Sequence, residues 1–340
     1  MMDAVIDLVG DVNLRRCQES DETCLDEVAG ELSSADLRVG NLEGAFSSRQ
    51  EELDYKPGWY DGQPEMAKCL VDRFDVVACA NNVHHGAAIV ESLEVLDDLG
   101  ILHTGAGRGL ASARQPAMKD VGGGRVGMLA YTSVFEPVGH AATAAGSGVA
   151  TIKATTAYEP SPRVLQMPGA PAIVHTWADP AELDRAVQEV RALREAADFV
   201  IVYLHFGVSM SPVAHEYQRQ IAHALVDAGA DVIAGSHSHT LGPVEFYGSG
   251  LVFYSLGNFI FNVGFHPQAT LDGALAKVVV RDSRIASCTM RPTYRNAAAR
   301  TTFPDLSHGE GARIAEMITR RSAEFGTRVR PADGALHLSR

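Results

Sequence analysis

The sequence has few cysteines, and they form no recognisable pattern. The five lie scattered along the 340 residues without a C-x-x-C pair, at Cys17, Cys24, Cys69, Cys79 and Cys288. An odd and scattered set excludes a disulfide framework and a zinc ribbon. We therefore expect free thiols in a reducing compartment.

Long apolar runs are also missing. No stretch approaches the roughly 20 residues that cross a bilayer as a helix. The first residues, Met1-Met2-Asp3, lead directly into an apolar strand, without the cationic and apolar segments of a secretion signal. The sequence thus predicts a cytoplasmic protein that has no membrane partner.

An excess of positive charge is absent as well, since the formal net charge is −13. So acidic a chain repels polyanions, which argues against nucleic acid and anionic membranes as partners. Hydrophobic residues make up 46% of the chain, and no Pro/Ser-rich linker divides it. We expect one domain over 1–340, with a loop or lid insertion at 137–171 and a C-terminal extension at 291–340.

Histidines, in contrast, are concentrated in the segment 202–261. Two apolar runs, Phe199–Leu204 and Asp231–Ala234, lead into His205 and into the pair His237 and His239. Residues just past the carboxyl end of a buried strand project into a common crevice. Three imidazoles in such a crevice suit a divalent metal such as zinc, manganese or iron.

Oxygen-bearing side chains follow three further apolar runs. Asp11, Glu43 and Asn82 each come shortly after a predicted strand. With the histidines they make six donors, more than one tetrahedral ion needs, whereas two ions about 3.5–4 Å apart would use them all. The sequence predicts one or two divalent ions, with Mn, Zn, Fe or Ca as candidates.

The order of the motifs is specific to a known family. The series G-D, N-L-E-G, A-N-N, H-F-G, G-S-H-S-H and Y-S-L-G-N-F resembles the CapA family, the poly-γ-glutamate capsule biosynthesis proteins of the calcineurin-like metallophosphoesterase superfamily. The similarity covers residues 7–261 and includes G-A-G-R at 105–108. It implies an α/β fold, a four-layer α/β/β/α sandwich of the metallophosphoesterase type.

The resemblance also implies roles for individual residues. Two ion sites would share one bridging carboxylate, with Asp11 and His239 at one ion, Asn82, His205 and His237 at the other, and Glu43 between them. Arg108 and Asn258, which lie in matched motifs, are expected to bind substrate.

Two positions depart from the superfamily pattern. Asn13 stands where the first motif, D-x-H, has a histidine ligand, so we expect the Asp11 site to be the weaker one. Val83 stands where a phosphoesterase has the histidine that stabilises the phosphate or protonates the leaving group. Either His84 or His85 fills this place from a shifted register or the leaving-group acid is missing, and an ordinary phosphatase activity is disfavoured.

A dinuclear centre supports several reactions: hydrolysis of a phosphate ester, hydrolysis of a γ-glutamyl amide, or removal of an α-proton with reprotonation on the other face. CapA-like proteins encoded with lasso-peptide pathways are epimerases of this last kind, and this chain is similar to them in lacking the histidine after Asn82. We expect a metal-dependent epimerase that converts an L to a D residue in a peptide substrate. The hydrolases are the alternative, and a non-catalytic accessory protein is the third. The expected acid/base residues are His84, His85, His215, His266 and His239.

Overall fold

The computed structural model describes residues 1–15, 25–49, 59–261 and 271–340. Its first strands are β1 Ala4–Asn13, β2 Leu37–Leu42, β3 Val76–Ala78, β4 Leu102–Thr104, β5 Ala106–Gly107, β6 Ala117–Val121, β7 Gly124–Thr132, β8 Gly148–Val149, β9 Ala154–Glu159 and β10 Ile173–Ala178. The remaining strands are β11 Phe199–Phe206, β12 Val232–His237, β13 Val244–Tyr247, β14 Gly250–Phe253, β15 Asn258–Phe261, β16 Asp272–Arg281, β17 Arg284–Arg295, β18 Thr301–Thr302, β19 Arg328–Ala332 and β20 Ala335–Ser339. The α-helices are α1 Asp26–Leu32, α2 Ala88–Asp98, α3 Leu110–Ala113, α4 Pro180–Ala196, α5 Glu216–Asp227 and α6 Gly309–Ala323, and a 3₁₀ helix spans Pro64–Leu70.

Most strands belong to two sheets. The larger has ten strands in the order β19-β20-β17-β16-β1-β2-β3-β4, with β15 paired to β1 and β18 to β17. The smaller has six, in the order β13-β14-β12-β11-β7-β6. Strands β1 to β4 run parallel, as do β7, β11, β12 and β14, so the carboxyl ends of each set meet at one sheet edge.

The two sheets pack face to face and are covered by helices on their outer faces. Leu8 and Met128 belong to the apolar cluster between the sheets. Val28 of α1 and Leu96 of α2 pack on the outer face of the larger sheet, and Leu225 of α5 on that of the smaller one. The predicted α/β class and the four-layer α/β/β/α order are therefore confirmed.

Several predicted element boundaries were wrong in detail. Strand β11 continues to Phe206, so His205 lies within the strand and not after it. The helix predicted over Pro212–Ala228 begins only at Glu216, because the side chain of Gln218 accepts a hydrogen bond from the backbone of His215 and caps the helix there. The helix predicted over Glu65–Val71 is a 3₁₀ helix that starts at a proline.

The predicted insertion at 137–171 and the predicted C-terminal extension at 291–340 both contain regular elements. Within 137–171, β8 pairs with β5, and β9 forms a hairpin with β10, which follows the segment and packs on α5. Within 291–340, β18 and β20 pair with β17 in the larger sheet, and α6 packs on β17 and β19. Cys69, Cys79 and Cys288 are buried, and the thiols of Cys79 and Cys288 are free. Of the helices in the described ranges, none combines the length and apolar composition of a membrane crossing.

Candidate metal centre

The predicted ligands meet where the carboxyl ends of both sheets come together. Asp11 near the end of β1 is in register with Asn41 near the end of β2. On the smaller sheet, His205 of β11 is in register with Ser236 of β12, and His237 is the last residue of that strand. Ligand candidates from two sheets are thereby brought into one buried site.

A β-bulge turns Asp11 toward the smaller sheet. Leu8 faces the space between the sheets and Val9 the outer layer, yet Asp11 faces inward again and Val12 outward. The register of β1 shifts at this point against both neighbouring strands. A bulge inserts one extra residue and re-aims the side chains beyond it. Gly10 fits this position, since a Cβ there would lie 2.0 Å from the carbonyl oxygen of Gly257.

Asp11, Glu43 and His239 form the first donor group. One ligand atom from each lies within 4.8 Å of the others, and the two carboxylates are fully buried. His239 Nδ1 is 3.5 Å from Asp11 Oδ2, and its Nε2 is 3.8 Å from Glu43 Oε1. Donors bound to one ion at about 2.1 Å lie roughly 3–4 Å apart, so this group could hold a metal ion.

Asn82, His205 and His237 form a second donor group beside it. His205 Nε2 lies 3.0 Å from Asn82 Oδ1 and 3.1 Å from His237 Nδ1. The other ring nitrogen of His205 is 3.2 Å from Asn41 Nδ2 and 3.0 Å from Ser236 Oγ. These two contacts fix the ring so that its Nε2 points at the other two donors, as outer partners orient a ligand histidine.

The backbone at the site is held in an unusual conformation. His237 and His239 have φ values of 93° and 53°, in the left-handed region that side chains other than glycine seldom adopt. Such conformations cost on the order of 1–3 kcal/mol each and persist where function requires them. Here they occur at both histidines of the H-S-H loop, whose rings lie 5.9 Å apart, with the His239 ring near the carboxylates of Asp11 and Glu43.

The electrostatics of the first group are strongly coupled. Burial by itself would raise the pKa of Asp11, but the hydrogen bond with His239 and the charges of His205 and His239 hold it well below its usual value. Burial would also lower the pKa of His239, yet Glu43 and Asp11 raise it to about 9. The two carboxylates therefore favour the protonated form of His239, and a metal ion bound to this ring would compete with that proton.

The donor set fits a divalent transition metal. Two fully buried carboxylates beside three imidazoles and one amide oxygen combine oxygen and nitrogen ligands, as Zn, Mn and Fe sites do. The buried group of Asp11, Glu43 and His239 could hold a metal ion, and the second donor group lies beside it.

The predicted acid/base histidines lie in different surroundings. His85 is half-buried and follows Asn82 by three positions in the chain, and His215 is half-buried at the start of α5. His84 is not brought into the site: its Nε2 lies 3.3 Å from Ser92 on α2, the residue is fully buried, and burial lowers its pKa to about 3. His266 falls outside the described residues.

The two residues predicted to bind substrate, Asn258 and Arg108, lie in different places. Asn258 Oδ1 lies 3.0 Å from His239 Nδ1, so the side-chain amide of Asn258 orients His239, a candidate metal ligand. Arg108 is exposed and paired with Glu94 on the rim of a cavity of about 480 Å³ that also includes His103. Its guanidinium is therefore engaged by a carboxylate outside the donor groups.

Both departures from the superfamily pattern have structural consequences. Asn13 donates from its side-chain amide to the backbone carbonyl of Glu43, so it braces the predicted bridging residue. Val83 is fully buried and packs with Trp59 and Phe261. An apolar cluster therefore occupies the place of the phosphoesterase histidine.

His140 is a residue that the sequence did not single out. It is fully buried, and its Nε2 lies 2.7 Å from the carbonyl oxygen of His84 while its Nδ1 accepts from the backbone N–H of Glu136. Its ring also packs edge-on against His85 at 4.9 Å. His140 thus ties the segment after β7 to the loop that carries Asn82. A lone histidine in a Gly- and Ala-rich stretch gave no signal of this contact.

Known proteins share this sequence pattern. Residues 5–263 match the family described as bacterial capsule synthesis protein PGA_cap. The chain is 28% identical over 282 residues to the PGA biosynthesis protein CapA of Bacillus subtilis (strain 168), covering 79% of this chain and 66% of that protein. It is 30% identical over 223 residues to the capsule biosynthesis protein CapA of Bacillus anthracis, covering 64% of this chain and 47% of that one. The chain thus spans just under two thirds and about half of these two relatives.

Among solved structures, TT1561 of Thermus thermophilus aligns over 86% of this chain and 99% of that one, with a TM-score of 0.44 and 10% identity. The fold described above stands on strand order and packing, and not on this likeness. The family match covers most of the chain, including every described donor of the metal centre. The chain therefore belongs to the PGA_cap family of bacterial capsule synthesis proteins, the CapA-like proteins that its motifs resemble.

Proposed function

We propose that this chain is a metal-dependent peptide epimerase that inverts the α-carbon of one residue, as in ribosomal lasso-peptide biosynthesis. The observation that supports it is the contrast between the converging donor groups and the position of Val83. The place of the phosphoesterase acid is filled by a fully buried valine packed against Trp59 and Phe261. The site thus keeps the means to stabilise negative charge and lacks the residue suited to a phosphate leaving group.

A divalent ion held by the donor groups would act as a Lewis acid toward a substrate oxygen and stabilise the negative charge that develops when Cα–H breaks. The chain itself must supply a base on one face of the α-carbon and an acid on the other. We assign these roles to His85, which follows β3 of the larger sheet, and His215, which follows β11 of the smaller one. Both are half-buried, and the two residues come from opposite sheets.

The loop that leads to His215 is fastened to the metal centre. The backbone N–H of Met210 donates to the carbonyl of Ser238, between the two histidines of the H-S-H loop. The hydroxyl of Tyr217 accepts from the backbone N–H of Gly207, two residues after His205. These bonds hold the start of α5 against the strands that carry the donors.

Hydrolysis of a γ-glutamyl amide is the second candidate. It is favoured by the relatives, which are named for PGA biosynthesis and capsule biosynthesis. The same donor groups would serve it, with the metal centre activating a water instead of a substrate carbon acid.

Incubation of the metal-supplemented protein in deuterated water separates these reactions. The substrates are a panel of peptides with a free C-terminus, a poly-γ-glutamate oligomer and bis(p-nitrophenyl) phosphate. Epimerisation adds one mass unit per turnover without shortening the chain, because the α-proton is replaced by deuterium. We expect deuterium in the peptide and an L-to-D change on chiral analysis, with no cleavage.

The outcome that contradicts the proposal is chain cleavage or phosphodiester turnover without α-deuteration. Introducing the missing histidine by Val83→His should leave peptide exchange no faster than in the wild type. A marked gain of phosphodiesterase activity together with loss of exchange would favour the hydrolase. Protein that binds no metal and exchanges no proton would be an accessory protein.

The two histidines are tested separately. In a two-base reaction, His85→Gln and His215→Gln should each abolish epimerisation while one configuration of the substrate still exchanges its α-proton with retention. The preserved configuration should differ between the two variants. His337→Gln, on β20 at the other side of the larger sheet, is the matched control and should behave as the wild type.

A further inference from the structure

The hairpin of β9 and β10 is a separate sheet of only two strands. Helix α5 closes its inner edge, because the backbone N–H of Thr176 on β10 donates to the side chain of Glu216 at 2.9 Å. The N–H of Ala178, two residues on, donates to Gln220 at 2.8 Å. The even-numbered residues of β10 therefore point away from β9. Since Thr176 lies opposite Thr156 in the antiparallel register, the even-numbered residues of β9 point away from β10.

The outer edge of this hairpin is open. Ala154, Thr156 and Tyr158 direct their backbone N–H and C=O groups outward, and in the described part of the chain β9 pairs with no strand other than β10. An exposed edge of this kind is a template for pairing with another strand. A sheet of two strands is also marginally stable in water, so a further strand at this edge would stabilise it.

Both faces of the hairpin expose apolar side chains. Tyr158 and Val174 lie opposite each other on one face and are 72% and 52% exposed. Ile173 and Trp177 lie on the other face and are 42% and 41% exposed. Apolar surface that is concentrated in this way on one exposed element is typical of an interaction site.

The charge pattern of β9 is complementary to itself. Residues 153–159 read K-A-T-T-A-Y-E, with a cation at one end and a carboxylate at the other. When two copies pair antiparallel about a two-fold axis at Thr156, each Lys153 lies opposite the Glu159 of the other copy. Ala154 then lies opposite Tyr158, so the outward backbone groups of both strands meet. Opposite charges and threonine pairs across neighbouring strands are stabilising, which favours a second copy over an unrelated peptide.

We propose that β9 is a dimerisation edge, through which two copies of this chain form one continuous sheet in the order β10-β9-β9-β10 with the two-fold axis at Thr156. Each outer edge of that sheet is covered by an α5 helix. The N–H of Tyr217 donates to Thr176 Oγ1, so the sheet is fastened to the start of α5 that follows His215. Dimer formation is independent of the reaction that the metal centre supports.

A single cysteine at the two-fold axis tests the register. Thr156 is the residue of β9 that this pairing places opposite itself, with Cα atoms about 5.5 Å apart, within the range of a disulfide. Thr156→Cys should therefore form a covalent dimer under mild oxidation, seen by non-reducing electrophoresis. Ala154→Cys and Tyr158→Cys should each stay monomeric but cross-link when mixed with each other. The unsubstituted protein, with its five cysteines, is the control.

Charge reversal tests the two ion pairs by sedimentation velocity. The protein should pass from monomer to dimer between about 1 and about 200 μM, because one strand pair is at the small end of specific interfaces. Lys153→Glu makes both pairs repulsive and should raise the dissociation constant at least ~10-fold. Lys153→Glu/Glu159→Lys should restore most of the affinity. Lys68→Glu makes the same charge change on the exposed side of the 3₁₀ helix and should leave it unchanged.

A protein that stays monomeric over this range would overturn the proposal. So would a dimer that is insensitive to charge reversal at 153, or a Thr156→Cys variant that cross-links no more than the unsubstituted protein. The edge can also be tested for a substrate strand with Thr156→Pro, since an edge strand tolerates proline where the N–H points outward. A monomer that binds peptide and loses this binding in Thr156→Pro would assign the edge to a substrate and not to a second copy.

Discussion

Asp7 and Asp11 lie on the same strand, four residues apart, and both are fully buried. Asp7 faces the outer helical layer, where the ammonium group of Lys277 lies 3.0 Å from it and also contacts Glu31 of α1. Asp11 faces the space between the sheets, where it accepts from Asn41 and from the backbone of His237. One residue type on one strand thus has two different surroundings.

The surroundings move the two pKa values in opposite directions. Burial raises the pKa of Asp7 to about 6, against the opposing effect of Lys277. Burial acts on Asp11 in the same sense, but His239, His205 and Asn41 outweigh it and hold its pKa low. Burial alone therefore does not identify a functional carboxylate. A functional carboxylate is identified by hydrogen-bond donors and positive groups that converge on it.

The largest difference between Asp7 and Asp11 should appear when each carboxylate is replaced in turn. Asp11→Asn should lose metal from the first donor group and slow α-proton exchange at least ~100-fold. Even the loss of a residue that only hydrogen-bonds to a metal ligand lowers metal affinity or activity by about 10–100-fold. Asp7→Asn should keep its metal and exchange at a rate within about 3-fold of the wild type, a margin typical of substitutions outside the site. Elemental analysis and deuterium incorporation measure both. Equal metal loss in the two variants would remove the distinction.

The next effect is on stability. Lys277→Met leaves the Asp7 carboxylate buried without its main partner, so the free energy of unfolding at pH 8 should fall by about 3 kcal/mol, the lower end for a broken buried pair. The double variant Asp7→Asn/Lys277→Met should regain most of this loss, because no charge is left uncompensated. Urea unfolding provides the measurement. A double variant as unstable as the single one would mean that the lysine acts through Glu31 instead.

The smallest effect is the pH dependence that Asp7 imposes. Its folded-state pKa of about 6 exceeds its ordinary value of 3.8, so between these values the folded protein holds more protons than the unfolded one. The free energy of unfolding should therefore fall as pH rises from about 4 to 6, by at most about 3 kcal/mol at 1.36 kcal/mol per pKa unit. Asp7→Asn should lack this slope. Parallel pH profiles for the wild type and the variant would refute the raised pKa.

Much of the candidate site was predictable from the sequence. Asp11, Glu43, Asn82 and the three histidines each follow or end an apolar run, and parallel strands bring such ends to one edge of a sheet. The layer order follows from the same alternation of strands and helices. Both predictions depend on local patterns in the chain.

The residues that the sequence missed act over long distances. His140 contacts the loop after β3 across 56 positions, and Asn41 reaches His205 across 164. Trp59 packs against Phe261, which lies on β15 next to β1 and is about 200 positions away in the chain. No short-range pattern encodes such contacts, since they arise from packing between elements that are far apart in the chain.

By itself, the sequence determined which residues could bind a metal and that they would sit at strand ends, because side-chain chemistry and hydrophobic periodicity are local properties. Tertiary structure alone decided which way those residues face. On β1, a strict two-residue alternation would put Asp7 and Asp11 on the same side of the sheet. The bulge between Leu8 and Asp11, where Gly10 has no Cβ and the backbone of Gly257 approaches closely, turns Asp11 inward to the histidines and leaves Asp7 facing Lys277.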